Sequence, residues 1–206
     1  MKKLALLILA SLSLTAFAQH RPAAYTCRGS DLISNNGRLV HSFSFSSDCQ
    51  EALSQSRQYR GRFCDRSELY RISGELLHRF SFSSDCKNSL SQSNNRYGIF
   101  CDRSNMIGDQ GLVHTFNFSS DCSKAITQAI SGPGLFCDSS AMVSVFDGQI
   151  HNFRFSSDCT NGVRQASQFR GRFCDGSTMY NRRGQVTGNF RYSQECENAL
   201  RRNTEW

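Results

Sequence analysis

Ten cysteines, Cys27, Cys49, Cys64, Cys86, Cys101, Cys122, Cys137, Cys159, Cys174 and Cys196, divide the chain into intervals of 22 and 15 residues, with a single interval of 21. That rhythm is a unit of 36 or 37 residues occurring five times. The second cysteine of every unit closes one phrase: FSFSSDC at 43–49 and 80–86, FNFSSDC at 116–122, FRFSSDC at 153–159 and FRYSQEC at 190–196. A unit this short cannot bury its own apolar face and must lean on its neighbours. The expectation is therefore one repeat domain over residues 19–206, with units at about 27–63, 64–100, 101–136, 137–173 and 174–206.

Within a unit, Leu76, His78, Phe80 and Phe82 alternate with Leu77, Arg79, Ser81 and Ser83, the period of two of a half-buried strand. Gly37, Gly74, Gly111, Gly148 and Gly184 precede these strands, in turns that favour positive φ. Each 22-residue stretch reads as a β-hairpin, and one turn at Gly74 places Cys64 opposite Ser83. Both phenylalanines of the phrase are expected on the core face. Ser47, Asp48, Ser84 and Asp85 are expected to cap a helix with their side chains. Behind them Cys49, Ala52 and Leu53, or Cys86, Ser89 and Leu90, form one helical face that carries the cysteine inward. The fold class is α+β: five disulfide-stapled ββα repeats, stacked as a solenoid or closed into a ring.

Two pairings use all ten cysteines. Either each unit is stapled to itself (27 with 49, 64 with 86, 101 with 122, 137 with 159, 174 with 196), or each helix is tied to the next unit and Cys27 meets Cys196. The hairpin geometry favours the first, although spacing by itself does not decide connectivity. Zinc is disfavoured because the closest cysteines are fifteen apart, whereas structural zinc motifs place them about two to four apart.

The chain begins MKKLALLILASLSLTAFAQH, two lysines and an apolar run ending in Ala-Phe-Ala, the pattern of a bacterial secretory signal peptide over residues 1–18. An oxidising periplasmic or extracellular location fits the even cysteine count. No later stretch is apolar enough to insert into a membrane. Removing residues 1–18 takes away two of 24 basic residues and none of the 17 acids, leaving a formal charge of +5.

Twenty of the 22 remaining basic residues are arginine; the others are Lys87 and Lys124. Arginine pairs with carboxylate or phosphate through a planar fork and stacks on rings, so an anionic polysaccharide or other envelope polymer is the expected partner. Another secreted protein is the alternative, and nucleic acid is not favoured. Acids also recur, before the second cysteine and after the first, where they can pair with arginines inside the scaffold. The candidate binding residues lie in the loops QYRGRFC at 58–64, RYGIFC at 96–101 and QFRGRFC at 168–174: Tyr59, Arg60, Arg62, Tyr97, Phe169, Arg170 and Arg172. An aromatic ring beside arginines on a glycine loop can stack on a sugar or base while gripping an anion. The same rings can instead pack between units.

His41, His78, His114 and His151 each stand eight residues before a second cysteine, and the fifth unit has Gly188 there. Such a row can bind metal or sense pH, but its place on the phenylalanine face favours half-buried strand residues with local hydrogen bonds, and no metal or other cofactor is expected. Catalysis ordinarily needs one asymmetric constellation, whereas here the candidate letters Asp65, Ser67 and His78 recur from unit to unit. The expected function is that of an exported, non-enzymatic binding module for an anionic polymer or glycan of a cell envelope or extracellular matrix. The alternative is a protein-directed secreted factor, either a hydrolase inhibitor or a structural matrix component.

Overall fold

A computed structural model describes residues 25–202. The expected signal peptide lies outside the described residues. The chain folds as five α+β units, each a three-stranded antiparallel sheet followed by one helix. The first comprises β1 (Tyr25–Arg28), β2 (Asp31–Ser34), β3 (Leu39–Ser42) and α1 (Ser46–Gln58), and the second β4 (Arg62–Asp65), β5 (Glu68–Arg71), β6 (Leu76–Arg79) and α2 (Ser83–Gln92). The third comprises β7 (Phe100–Asp102), β8 (Asn105–Gly108), β9 (Gly111–Thr115) and α3 (Ser119–Ser131). Next come β10 (Leu135–Asp138), β11 (Ala141–Ser144), β12 (Gly148–Asn152) and α4 (Ser156–Gln168), then β13 (Phe173–Asp175), β14 (Thr178–Tyr180), β15 (Val186–Asn189) and α5 (Ser193–Arg202). Among the described residues no helix is long and apolar enough to cross a membrane.

Three strands replace the expected two because each unit turns twice. Cys64 pairs with Leu69, not with a residue near Ser83, across a tight turn at Arg66 and Ser67. The first residue of that turn has φ between 54° and 61° in all five units, at Gly29, Arg66, Arg103, Ser139 and Gly176. Only two of the five are glycine, the residue that adopts this conformation without steric cost, so the turn leaves little trace in the sequence. The second turn is the expected one at Gly37, Gly74, Gly111, Gly148 and Gly184, each with positive φ.

The disulfides are those of the self-stapled scheme, Cys27–Cys49, Cys64–Cys86, Cys101–Cys122, Cys137–Cys159 and Cys174–Cys196, with Cα separations of 6.0 to 6.2 Å. All ten cysteines are paired, which suits an oxidising compartment. Helix faces follow the expected spacing, with Cys49 and Ala52, Cys86 and Leu90, and Cys122 and Ala125 buried.

The expected serine and aspartate caps are not formed. In α1 to α4 the N-cap is the second phenylalanine of the phrase, Phe45, Phe82, Phe118 or Phe155, and no side chain caps it. The serines are already helical, which places Asp48 in the first turn with its N–H donating to the Phe45 carbonyl at 3.2 Å. Its charge there still suits the helix dipole.

Three devices join consecutive units. First, Phe63, Phe100, Phe136 and Phe173, each immediately before a first cysteine, insert into the core of the preceding unit and are at most 1% exposed. Second, Gln55, Gln92, Gln128 and Gln165 accept a hydrogen bond from the backbone N–H of the next unit's first cysteine at 2.8 to 2.9 Å. Third, the histidine Nε2 atoms meet the next unit's carboxylates at 2.8 to 2.9 Å, in His41–Asp65, His78–Asp102, His114–Asp138 and His151–Asp175. These are junctions between units, not the local bonds expected of the histidine row. The His41 ring sits edge-on to Phe43 and Phe63 and tilted against Tyr70. Burial, followed by a hydrogen bond to Glu68, pushes the Tyr70 hydroxyl up to about 12.

Removing one member of such a pair strands its partner at a half-buried junction. Asp102→Ala should cost about 1–3 kcal/mol in urea unfolding, and Asp102→Asn, which keeps an acceptor for His78, should cost less. Equal losses from the two variants would show that this bond does not hold the junction.

Candidate functional site

The seven loop residues separate into two groups. Tyr59 ends α1, is half-buried and packs on the second unit's core, while Phe169 ends α4 in the same way and packs on the fifth. Tyr97 donates its hydroxyl to the Gly132 carbonyl at 2.9 Å and meets Phe146 edge-on. All three rings thus serve contacts between units.

Arg60, Arg62 and Tyr97 line one cavity of about 290 Å³ between the second and third units, together with Arg71, Arg96 and Asp109. Arg60 donates to the Asn95 carbonyl at 2.6 Å. Arg62 is buried; its Nη1 donates to the carbonyls of Gly98 (2.9 Å) and Ser93 (3.3 Å), and its Nη2 is bonded to Asp109. Burial lowers the Arg62 pKa and Asp109 opposes that shift. A Cβ at Gly98, where φ is 67°, would collide with the Arg62 guanidinium, so glycine there lets the side chain pass beneath the backbone. The cavity is thus a junction whose deepest cation is already answered by protein acceptors. Phe169, Arg170 and Arg172 lie elsewhere, in the connection between α4 and β13, where both arginines are exposed.

The most exposed repeated feature is one that sequence reasoning assigned to the core. Phe45, Phe82, Phe118, Phe155 and Tyr192 are 68%, 64%, 69%, 55% and 56% exposed, whereas Phe43, Phe80, Phe116 and Phe153, two residues earlier, are buried. The parity of a strand would put both rings on one face. The third strand has ended by then, however, and the second ring stands at the start of the helix. The Ser-Ser pair behind it, which marks a helix start, was the available signal.

Three of these five rings have an arginine beside them, and a fourth follows a serine that binds one. Arg66 and Arg103, from the tight turn of the following unit, bond the hydroxyls of Ser44 and Ser81, next in sequence to Phe45 and Phe82. Arg154 and Arg191 lie over the Phe155 and Tyr192 rings, at 5.0 and 5.3 Å from the centroids. Phe82 also borders a groove of about 530 Å³ that runs past Asp85, Gln92 and Arg103 to Ser119 and Ser123 at the start of the next helix. Chemically, each repeat presents one exposed ring, and hydroxyl or cationic groups lie next to several of them. Among the described residues no group of three or more histidine, cysteine, aspartate or glutamate side chains is placed to hold a metal ion.

Comparison with known protein families, with curated proteins and with solved structures finds no match. The chemistry of the surface therefore carries the functional reading.

Proposed function

We propose that the protein is an exported binding module, without catalytic activity, that recognises an anionic polysaccharide or related envelope or matrix polymer along its row of exposed rings. The observation that carries this reading is the exposure of an aromatic side chain at the same place in all five repeats. An isolated exposed ring needs no explanation. Five, one per repeat and three with arginine beside the ring, match a ligand that itself repeats, because rings take sugar faces while guanidinium groups take carboxylate, sulfate or phosphate. Export is supported by the leader at residues 1–18 and by five disulfides. The absence of catalysis is supported by the repetition of one His–Asp pair at four junctions, since catalysis ordinarily needs one asymmetric constellation.

We further propose an open array instead of a ring. The first unit has Thr26 and Arg28 where the others have the inserting phenylalanine and the aspartate, and the fifth has Gly188 and Arg202 where the others have the histidine and the glutamine. A fifth junction closing the ring would lack all three devices. The alternative function, a protein-directed factor, finds its own support in the arginine edge of the fifth unit.

Binding of the mature protein to oligogalacturonate and to a neutral glucan oligomer, measured across a salt series, tests the function. The uronate should bind at low ionic strength and weaken steeply as salt rises. Replacing Phe82 and Phe118 together by Ala should weaken it by on the order of a hundredfold, about 1.4 kcal/mol per ring. Undiminished binding by that variant, or no binding of any anionic envelope polymer at low salt, would remove the proposal.

A further inference from the structure

The sequence Gln-aromatic-Arg-Gly-Arg-Phe occurs at 58–63 and at 168–173, and the two copies have the same backbone. Arg60 and Arg170 both have φ of 55°, Gly61 and Gly171 both have positive φ, and each glycine N–H reaches back into the preceding helix at 2.7 Å. Their surroundings differ. In the first copy, the third unit supplies a carboxylate, Asp109, and the segment between α2 and β7 supplies the carbonyls of Ser93, Asn95 and Gly98 to the two guanidinium groups. In the second copy the fifth unit takes the place of the second, and no sixth unit follows it among the described residues. Arg170 and Arg172 are exposed there and make no side-chain hydrogen bond or ion pair among the described residues.

A third arginine extends this edge. A Cβ at Gly171 would lie 2.7 Å from the Arg182 Cβ, so the exposed Arg182 stands directly against the loop. The matching contact of Gly61 is Ile72, at 3.4 Å. The second copy therefore has an added cation where the first has an apolar contact.

We infer that the edge formed by Arg170, Arg172 and Arg182 is a docking surface for a segment of another protein that presents a carboxylate beside free backbone carbonyls. The ligand class comes from the molecule itself. The same loop, in the same conformation, takes one carboxylate and three carbonyls at the junction of the second and third units. A fork that divides its donors between a carboxylate and amide carbonyls matches a polypeptide more fully than a polysaccharide, whose backbone has no amide carbonyls. A second copy of this chain, joined end to end, does not supply the acid. Its first unit has Asn35 where the third has Asp109, and Arg28 where the third has Asp102. This surface is separate from the row of rings and stands or falls independently of it.

The test uses the full mature protein and a fluorescent peptide copying residues 93–111 with Cys101→Ser, which includes all four acceptors of the internal junction. Fluorescence anisotropy at low salt should show saturable one-to-one binding. It should weaken at least about tenfold when Arg172→Ala is made in the protein or Asp109→Asn in the peptide, and should not change with Phe82→Ala. Because Arg172 is exposed, its variant should melt with the wild type, which keeps the comparison clean. No saturation up to about 1 mM peptide, or equal binding by the Arg172 variant, would overturn the inference. So would displacement of the peptide by a uronate oligomer at equal or lower concentration, which would make the edge a general polyanion site.

Discussion

Reduction of the five disulfides should unfold the protein. Each unit contains three strands of three to five residues and one helix of ten to thirteen, elements that are marginal on their own. Closing a loop of about 22 residues is worth roughly 3 kcal/mol in the chain-entropy model. Five such loops together rival the roughly 5–15 kcal/mol that stabilises an ordinary domain. The junctions cannot replace the staples, since Phe63, Phe100, Phe136 and Phe173 insert into cores whose own half includes Cys49, Cys86, Cys122 or Cys159. Circular dichroism melts with and without strong reductant check this: the reduced protein should lose its cooperative transition, and a retained one would place the stability in apolar packing instead.

The second large effect concerns two phenylalanines that sit two residues apart. Phe80 is 6% exposed, packs in the second unit's core, and lies 4.6 Å from the His78 ring and 5.8 Å from the Phe100 ring. Phe80→Ala should cost about 3–5 kcal/mol in urea unfolding, the usual range for deleting a buried phenyl ring. Phe82, 64% exposed, should change stability by no more than about 0.5 kcal/mol when replaced by Ala, while weakening uronate binding. The same contrast should hold for Phe43 against Phe45 and for Phe153 against Phe155. Equal stability losses within a pair would mean that the outer ring is structural, and the proposed binding row would lose its basis.

Much of the scaffold was legible because cysteine spacing, glycine turns and helical periodicity each act locally. Five units and a helix carrying every second cysteine follow from residues close in sequence, whereas the self-stapled pairing is favoured in the sequence by a two-strand hairpin that the structure replaces with three strands. The middle strand was hidden because Arg66, Arg103 and Ser139 occupy a left-handed turn position that glycine usually announces. The helix caps lie two or three residues before the expected ones, because an aspartate suits the first turn of a helix as well as its cap. The junctions were visible only as recurring letters. A histidine and the aspartate 24 residues later recur four times, but nothing local says that they meet across a boundary.

The candidate site was less legible than the scaffold. The loop residues were singled out for an aromatic beside arginines, and at Tyr59, Arg60, Arg62 and Tyr97 that chemistry is directed at the neighbouring unit. Only at Arg170 and Arg172, where no sixth unit follows the fifth among the described residues, are both of the loop's cations exposed. The exposed rings were missed because Phe82 keeps strand parity with Phe80 after the strand has ended. Burial depends on where an element stops, and alternation does not record that.

The most direct measurement is calorimetric titration of the mature protein with oligogalacturonates of increasing length. A row of five rings predicts affinity that climbs with oligomer length as further repeats are engaged, and that falls stepwise as Phe45, Phe82, Phe118, Phe155 and Tyr192 are replaced by Ala. Affinity independent of length, or intact after all five replacements, would contradict it.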